Sequence, residues 1–190
     1  MRVLTVIVLS VFVVSCSPAP ATAPAATAAP AAELKGNLNQ VMRGILFPNS
    51  NIIFDAQSND PGAAKPADAK GGAPASGATS AFSGVYGGWE AVENASVALG
   101  EAANLVALPG RSCANGKPVP LNDPTFQKGL AALRQVSSES LKVAQAKNMD
   151  GMLDVADKVT MACSTCHDVY RDVQVDGKPA GIEARCAPKG

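Results

Sequence analysis

Two cysteines and the single histidine of the chain lie together in the segment Cys163-Ser164-Thr165-Cys166-His167. Thiols three residues apart share one face of a helix, where both can reach the vinyl groups of one porphyrin. The adjacent imidazole can then bind the iron as its proximal ligand. The spacing C-x-x-C-H is typical of covalent c-type haem attachment. We therefore expect one haem c, attached through Cys163 and Cys166 and ligated by His167.

Other chemistry is open to a pair of cysteines with this spacing. A redox dithiol of the thioredoxin kind would need a βαβ context, which the hydrophobic pattern does not indicate. A structural zinc site would need four ligands, so Cys113 or Cys186 would have to contribute. Peroxide chemistry would need a distal acid or base, and the chain has no second histidine. We therefore predict that the protein is not an enzyme.

The first residues of the chain predict export. Arg2 precedes an apolar run at 3–14, which is shorter than the roughly 20 residues of a membrane-spanning helix but suits a signal peptide. The sequence VVSC, which ends at Cys16, is similar to a bacterial lipoprotein processing site, where the cysteine is lipidated and becomes the new N-terminus. We expect a signal peptide at 1–15 and a lipid on Cys16. The alternative is an ordinary secretory signal with an incidental cysteine.

A segment rich in proline and alanine follows the predicted lipidation site. Residues 17–32 carry no charge and have too few large side chains to fold, so 16–32 should act as a lipid-anchored tether. The remainder, 33–190, is expected to form one haem-binding domain. Basic and acidic side chains number 16 each, without a basic cluster, so no nucleic-acid partner is expected. These features predict a protein on the periplasmic side of a bacterial membrane, attached through its N-terminal lipid.

Hydrophobic periodicity predicts an all-α fold. Apolar residues recur three and four apart in four segments, at 33–47, 88–108, 124–144 and 148–173. Pro48 should end the first helix because it has no N–H to donate, and Asp123 should cap the third. Four helices with one long connection suggest a four-helix bundle.

The long connection between the first two helices is expected to be largely disordered. Residues 58–81 are rich in Gly, Ala, Pro, Ser and Lys, and structureless loops of this length are uncommon inside a domain. The short apolar run Ile52-Ile53-Phe54 is expected to pack as an extended cover on the helices.

Two cysteines remain after Cys16, Cys163 and Cys166 are assigned. In an oxidising compartment, Cys113 and Cys186 most simply form a disulfide. This bond would pin the C-terminal tail to the loop between the second and third helices. The alternative is two free thiols.

The haem motif and the first helix together resemble the cytochrome c′ family. The motif continues as Asp-Val-Tyr170-Arg171 near the end of the last helix, and Val41-Met42-Arg43 is similar to the family's segment across the distal haem face. The resemblance spans about residues 33–175, and the insertion at 58–85 and the tail with Cys186 depart from it. It implies a cytochrome c′-like four-helix bundle, which forms a homodimer in many relatives.

The resemblance also implies roles for two further side chains. In the family, the iron site opposite the proximal histidine is either filled by a methionine of the first helix or vacant beside an apolar side chain. Met42 matches the position of that methionine. Met42 as a flexible core residue is the alternative. Arg171 should lie near the haem edge and balance a propionate, unless it is merely solvated. The other methionines of the last helix are less suitable as distal ligands, because they share that helix with His167: Met149, Met152 and Met161.

Two functions follow from these expectations. Iron ligated by His167 and Met42 would pass single electrons between redox partner proteins, with the lipid confining the cytochrome to the membrane surface. A vacant distal site would instead make the protein a five-coordinate binder of nitric oxide or carbon monoxide.

Overall fold

Helices account for most of the chain that the computed structural model describes, residues 33–63 and 87–187. All of these residues fall within one compact unit. The all-α prediction is confirmed at this level. The predicted signal peptide at 1–15, the tether at 16–32 with Cys16, and residues 64–81 of the predicted disordered insertion lie outside the described residues.

The first helical segment begins with a reciprocal cap and is longer than predicted. The Asn37 side chain accepts a hydrogen bond from the Gln40 backbone N–H, and the Gln40 side chain accepts one from the Asn37 N–H. This is a capping box. The segment then runs through α1 (Leu38–Val41), a π-helical turn (Met42–Leu46) and α2 (Phe47–Asp55) without interruption.

The prediction that Pro48 ends the first helix is wrong. In the π turn, the N–H of Phe47 reaches the carbonyl of Met42, five residues earlier. This shift of register places Pro48 in the first turn of α2, where a missing N–H is tolerated. The helix therefore continues, and the run Ile52-Ile53-Phe54 is helical rather than an extended cover. Ile53 is completely buried.

Turns follow α2 where disorder was predicted to begin. The N–H of Asn59 donates to the carbonyl of Asp55 at 2.9 Å, and the N–H of Ala63 donates to that of Asp60 at 3.0 Å. Residues 58–63 therefore form hydrogen-bonded turns at the start of the predicted disordered insertion, whose remainder at 64–81 lies outside the described residues.

Three long helices form the rest of the fold: α3 (Gly88–Val106), α4 (Pro124–Gln145) and α5 (Met149–Tyr170). Helix α4 packs against both α3 and α5, and α2 contacts α3 and α5. The predicted cap of α4 is confirmed, since the Asp123 side chain accepts a hydrogen bond from the Thr125 N–H at 2.8 Å. The core between the helices contains fully buried side chains from each of α2, α3 and α5, among them Ile53, Leu99, Met152, Val155 and Val159.

A buried arginine fixes the start of the first helical segment against α3. The Arg111 guanidinium donates to the carbonyl of Leu105, near the end of α3, and to the carbonyl of Gly36. Next to it, the Leu38 N–H donates to the carbonyl of Ser112 at 2.8 Å. These bonds set the position of Met42, one helical turn further along.

The C-terminal tail folds back onto the loop between α3 and α4. It contains a hairpin of β1 (Gln174–Val175) and β2 (Lys178–Pro179), paired antiparallel, and a 3₁₀ turn at Ile182–Ala184. The predicted pairing of Cys113 with Cys186 is present, with the two Cα atoms 6.4 Å apart. No helix among the described residues combines the length and apolarity needed to cross a membrane.

Candidate haem site

A cavity of about 430 Å³ lies between the first helical segment, α3, α4, α5 and the tail. Its volume falls within the range of about 300–1,000 Å³ that is usual for small-molecule sites. Most of the lining is apolar, which suits a porphyrin. Every described residue that the sequence assigned to a site lines this cavity: Cys163, Cys166, His167, Met42, Arg171, Cys113 and Cys186.

Helix α5 presents the haem motif to the cavity on one face. Asn148 caps the helix by accepting a hydrogen bond from the Gly151 N–H at 3.1 Å. Helical spacing then aligns Cys163 and Cys166 with Tyr170. The Tyr170 ring is buried and packs edge to face on Phe126 of α4, with ring centroids 5.5 Å apart. This contact fixes the end of α5 that carries the motif.

Both motif cysteines are half-buried and unbonded. Burial raises the pKa of Cys163, and burial together with the neighbouring Cys163 raises the pKa of Cys166 to about 11. The two side chains are therefore neutral thiols at pH 7. They are accessible to a group in the cavity that they line.

Gly129 of α4 provides the space for the Cys166 sulfur. A Cβ atom at position 129 would overlap that sulfur, which lies 3.9 Å from the carbonyl oxygen of Phe126. Sequence reasoning missed Gly129. The available signal was a glycine in the interior of a helix, where it costs about 0.5–1 kcal/mol relative to alanine.

The His167 imidazole is suited to bind a metal. Burial lowers its pKa, and the charge of Arg171 lowers it further, so the ring is neutral at pH 7. Within the described part of the chain its ring nitrogens form no hydrogen bond with the protein. A neutral imidazole with an unused lone pair is the form that ligates iron.

Met42 reaches the same cavity from the first helical segment. It is half-buried at the start of the π turn, between the buried Leu38 and Leu46, which also line the cavity. Single π turns occur often at functional sites. The other candidate methionines do not line the cavity: Met152 is in the core, Met161 is 70% exposed and Met149 packs at the edge of the core.

Three arginines line the cavity, and they differ in burial and in their partners. Arg43, on the first helical segment, is exposed. Arg171 forms two hydrogen bonds with Asp172, at 2.8 and 2.6 Å, and this pairing lowers the pKa of Asp172. Arg185, in the tail, was missed by sequence reasoning, because the disulfide at Cys186 brings it to the cavity from a distant part of the chain.

The zinc alternative finds little support in this geometry. Cys113 and Cys186 are bonded to each other, so neither can supply a zinc ligand to the motif cysteines. Among residues 33–63 and 87–187, no group of three or more His, Cys, Asp or Glu side chains is placed to hold a metal ion. No known protein family, curated protein or solved structure matches the chain.

Proposed function

We propose that the protein is an exported, lipid-anchored c-type cytochrome that carries one covalent haem and transfers single electrons. The observation that supports this most strongly is one apolar cavity lined by Cys163, Cys166 and His167 on α5 and by Met42 on the first helical segment. Counting α1, the π turn and α2 as one helix, the four helices are consistent with a cytochrome c′-like bundle.

Each of these side chains has a separate role in the proposal. The Cys163 and Cys166 sulfurs would form the two thioether bonds to the haem, and the neutral His167 imidazole would bind its iron. Met42 would supply a second, thioether ligand, and Arg171 would balance the charge of a propionate. When bound, haem supplies a one-electron couple between ferric and ferrous iron, and a methionine ligand favours the ferrous state. The apolar lining limits access of water to the site.

The predicted N-terminal features fit the same function. A lipid on Cys16 and a tether at 16–32 would hold the domain at the periplasmic face of a membrane, close to redox partner proteins. Confinement to a surface raises the effective concentration of partners held there.

A second candidate, a five-coordinate binder of nitric oxide or carbon monoxide, is favoured by the apolar side chains that flank Met42. If Met42 were not a ligand, Leu38 and Leu46 would form an apolar pocket wall suited to a diatomic gas.

The absorption spectrum of the haem-loaded protein separates the two candidates. The electron carrier predicts a low-spin spectrum with a methionine–iron band that disappears in Met42→Ala. Met161→Ala is the matched control, because this exposed methionine of α5 does not line the cavity, and its spectrum should equal that of the unmodified protein. A high-spin spectrum that responds to carbon monoxide and is unchanged in Met42→Ala would favour the gas binder.

A further inference from the structure

We propose that Arg185 is the principal carboxylate-binding residue of the cavity and pairs with a propionate of the haem. This inference rests on the proposed function. It assigns a site to the C-terminal tail, which the resemblance to cytochrome c′ does not cover.

The backbone around Arg185 is held on both sides. Cys186 is bonded to Cys113, and its N–H donates to the carbonyl of Tyr170 at 2.9 Å. The Asn115 side-chain amide donates to the carbonyl of Arg185 at 2.9 Å, and also to two carbonyls of the preceding turn. The tail is therefore fixed where it contributes Arg185 to the cavity lining.

Among the described residues, the Arg185 guanidinium has no hydrogen-bond or ion-pair partner. Its Nε atom is buried and forms no hydrogen bond within the structure, and no carboxylate of the described residues makes an ion pair with it. An unsatisfied buried donor is unfavourable, and a cation facing a cavity is well placed to receive an anion from a ligand. Arginine binds carboxylates in a two-pronged geometry, which a porphyrin propionate can match.

Arg171 is less available for this role. Its Nε and one terminal nitrogen already donate to Asp172. Arg185 is close enough to lower the pKa of Asp172 by its charge, but it is not paired with that carboxylate. Arg43 of the first helical segment also lines the cavity, but it is exposed. Among the three arginines of the cavity lining, Arg185 is the one whose Nε is buried without a hydrogen bond in the described part of the chain.

The test compares reduction potentials of proteins matured in a host with haem-attachment machinery. Arg185→Gln should lower the potential, because the unpaired propionate charge would stabilise ferric iron. The thioethers should keep the haem content unchanged. Arg185→Lys should shift the potential less in the same direction, since lysine keeps the charge without the two-pronged geometry. Lys178→Gln is the matched control, because it removes one exposed cation from the same tail, and its potential should equal that of the unmodified protein.

The possible results separate this inference from the proposed function. If Arg185→Gln and Arg185→Lys both keep the unmodified potential while carrying haem, the propionate role of Arg185 is wrong and the cytochrome proposal is unaffected. A shift of equal size in Lys178→Gln would also overturn the inference, because the effect would then be one of general charge. If Arg185→Gln does not accumulate, the Arg185→Lys variant is used instead: a lowered reduction potential supports the inference, and an unchanged potential overturns it. If the unmodified chain carries no haem, the proposed function fails and this inference with it.

Discussion

The contact between Gly129 and Cys166 gives a quantitative prediction about haem attachment. In Gly129→Ala, the new Cβ would overlap the Cys166 sulfur, whereas its distances of 3.6 Å to the Cys166 Cβ and to Thr165 are ordinary. The sulfur alone must move. Overpacking lowers the free energy of unfolding by about 1–3 kcal/mol. Alanine has a higher helix propensity than glycine, which restores about 0.8–1 kcal/mol of this loss. We expect a net destabilisation of about 1 kcal/mol, or about 2–4 °C in Tm for a domain of this size.

The larger expected effect of Gly129→Ala is on the Cys166 thioether. With its sulfur displaced, Cys166 should fail to bond to haem in most molecules, while Cys163 still does. Alkylation of the denatured protein, followed by mass spectrometry, counts the thiols left free. We expect one alkylated motif cysteine in Gly129→Ala and none in the unmodified protein.

Gly100→Ala is the matched control for this experiment. Gly100 also lies inside a long helix, α3, but its new Cβ would meet the Ser137 Cβ at 3.4 Å, an ordinary contact. This variant should keep both thioethers and gain about 0.5–1 kcal/mol of stability. Full double attachment in Gly129→Ala, at the yield of the control, would refute the role given to Gly129.

Three further predictions concern the fold. Replacing both Cys113 and Cys186 by serine opens a loop with a sequence separation of 73. The free energy of unfolding, measured in urea, should fall by about 4 kcal/mol; an unchanged urea midpoint would show that the disulfide does not stabilise the domain. Ile53→Ala should lower the free energy of unfolding by about 2–5 kcal/mol, because this side chain of α2 is fully buried; a loss below about 0.5 kcal/mol, usual for surface sites, would contradict the packing of α2 against the core. The Tyr170 hydroxyl and then the Thr125 N–H lower the pKa of Asp123 below its ordinary value of 3.8. The ionised Asp123 carboxylate therefore stabilises the fold above pH 3.8, and this stabilisation is lost as the pH falls through the lower pKa of the folded state. Asp123→Asn keeps the helix cap, and its stability difference from the unmodified protein, measured by urea unfolding between pH 7 and 2, should shrink below pH 3.8; a constant difference would contradict the assigned pKa.

Local signals in the sequence were enough to predict α3, α4 and α5. The apolar spacing and the cap at Asp123 both act within a few residues, and the structure reproduces them. The grouping of Met42 with the haem motif was also predicted, from the resemblance to cytochrome c′. The cavity contains both.

The features that sequence reasoning missed depend on contacts between distant residues or on an unusual register. Pro48 is a strong helix-ending signal, but the π turn before it places the proline where no N–H is needed. Gly129 matters because of a sulfur on another helix, and Arg185 because a disulfide brings the tail to the cavity. The disulfide was predicted from the cysteine count, but no pattern along the chain places Gly129 against Cys166 or Arg185 at the cavity.

Covalent haem content is the measurement that tests the central claim most directly. The full chain should be produced in a bacterial host with haem-attachment machinery, denatured, and examined for haem by mass spectrometry and haem staining. We predict a chain that retains one haem under denaturing conditions, and a Cys163→Ser/Cys166→Ser variant that carries none. An unmodified chain without covalently bound haem would contradict the account.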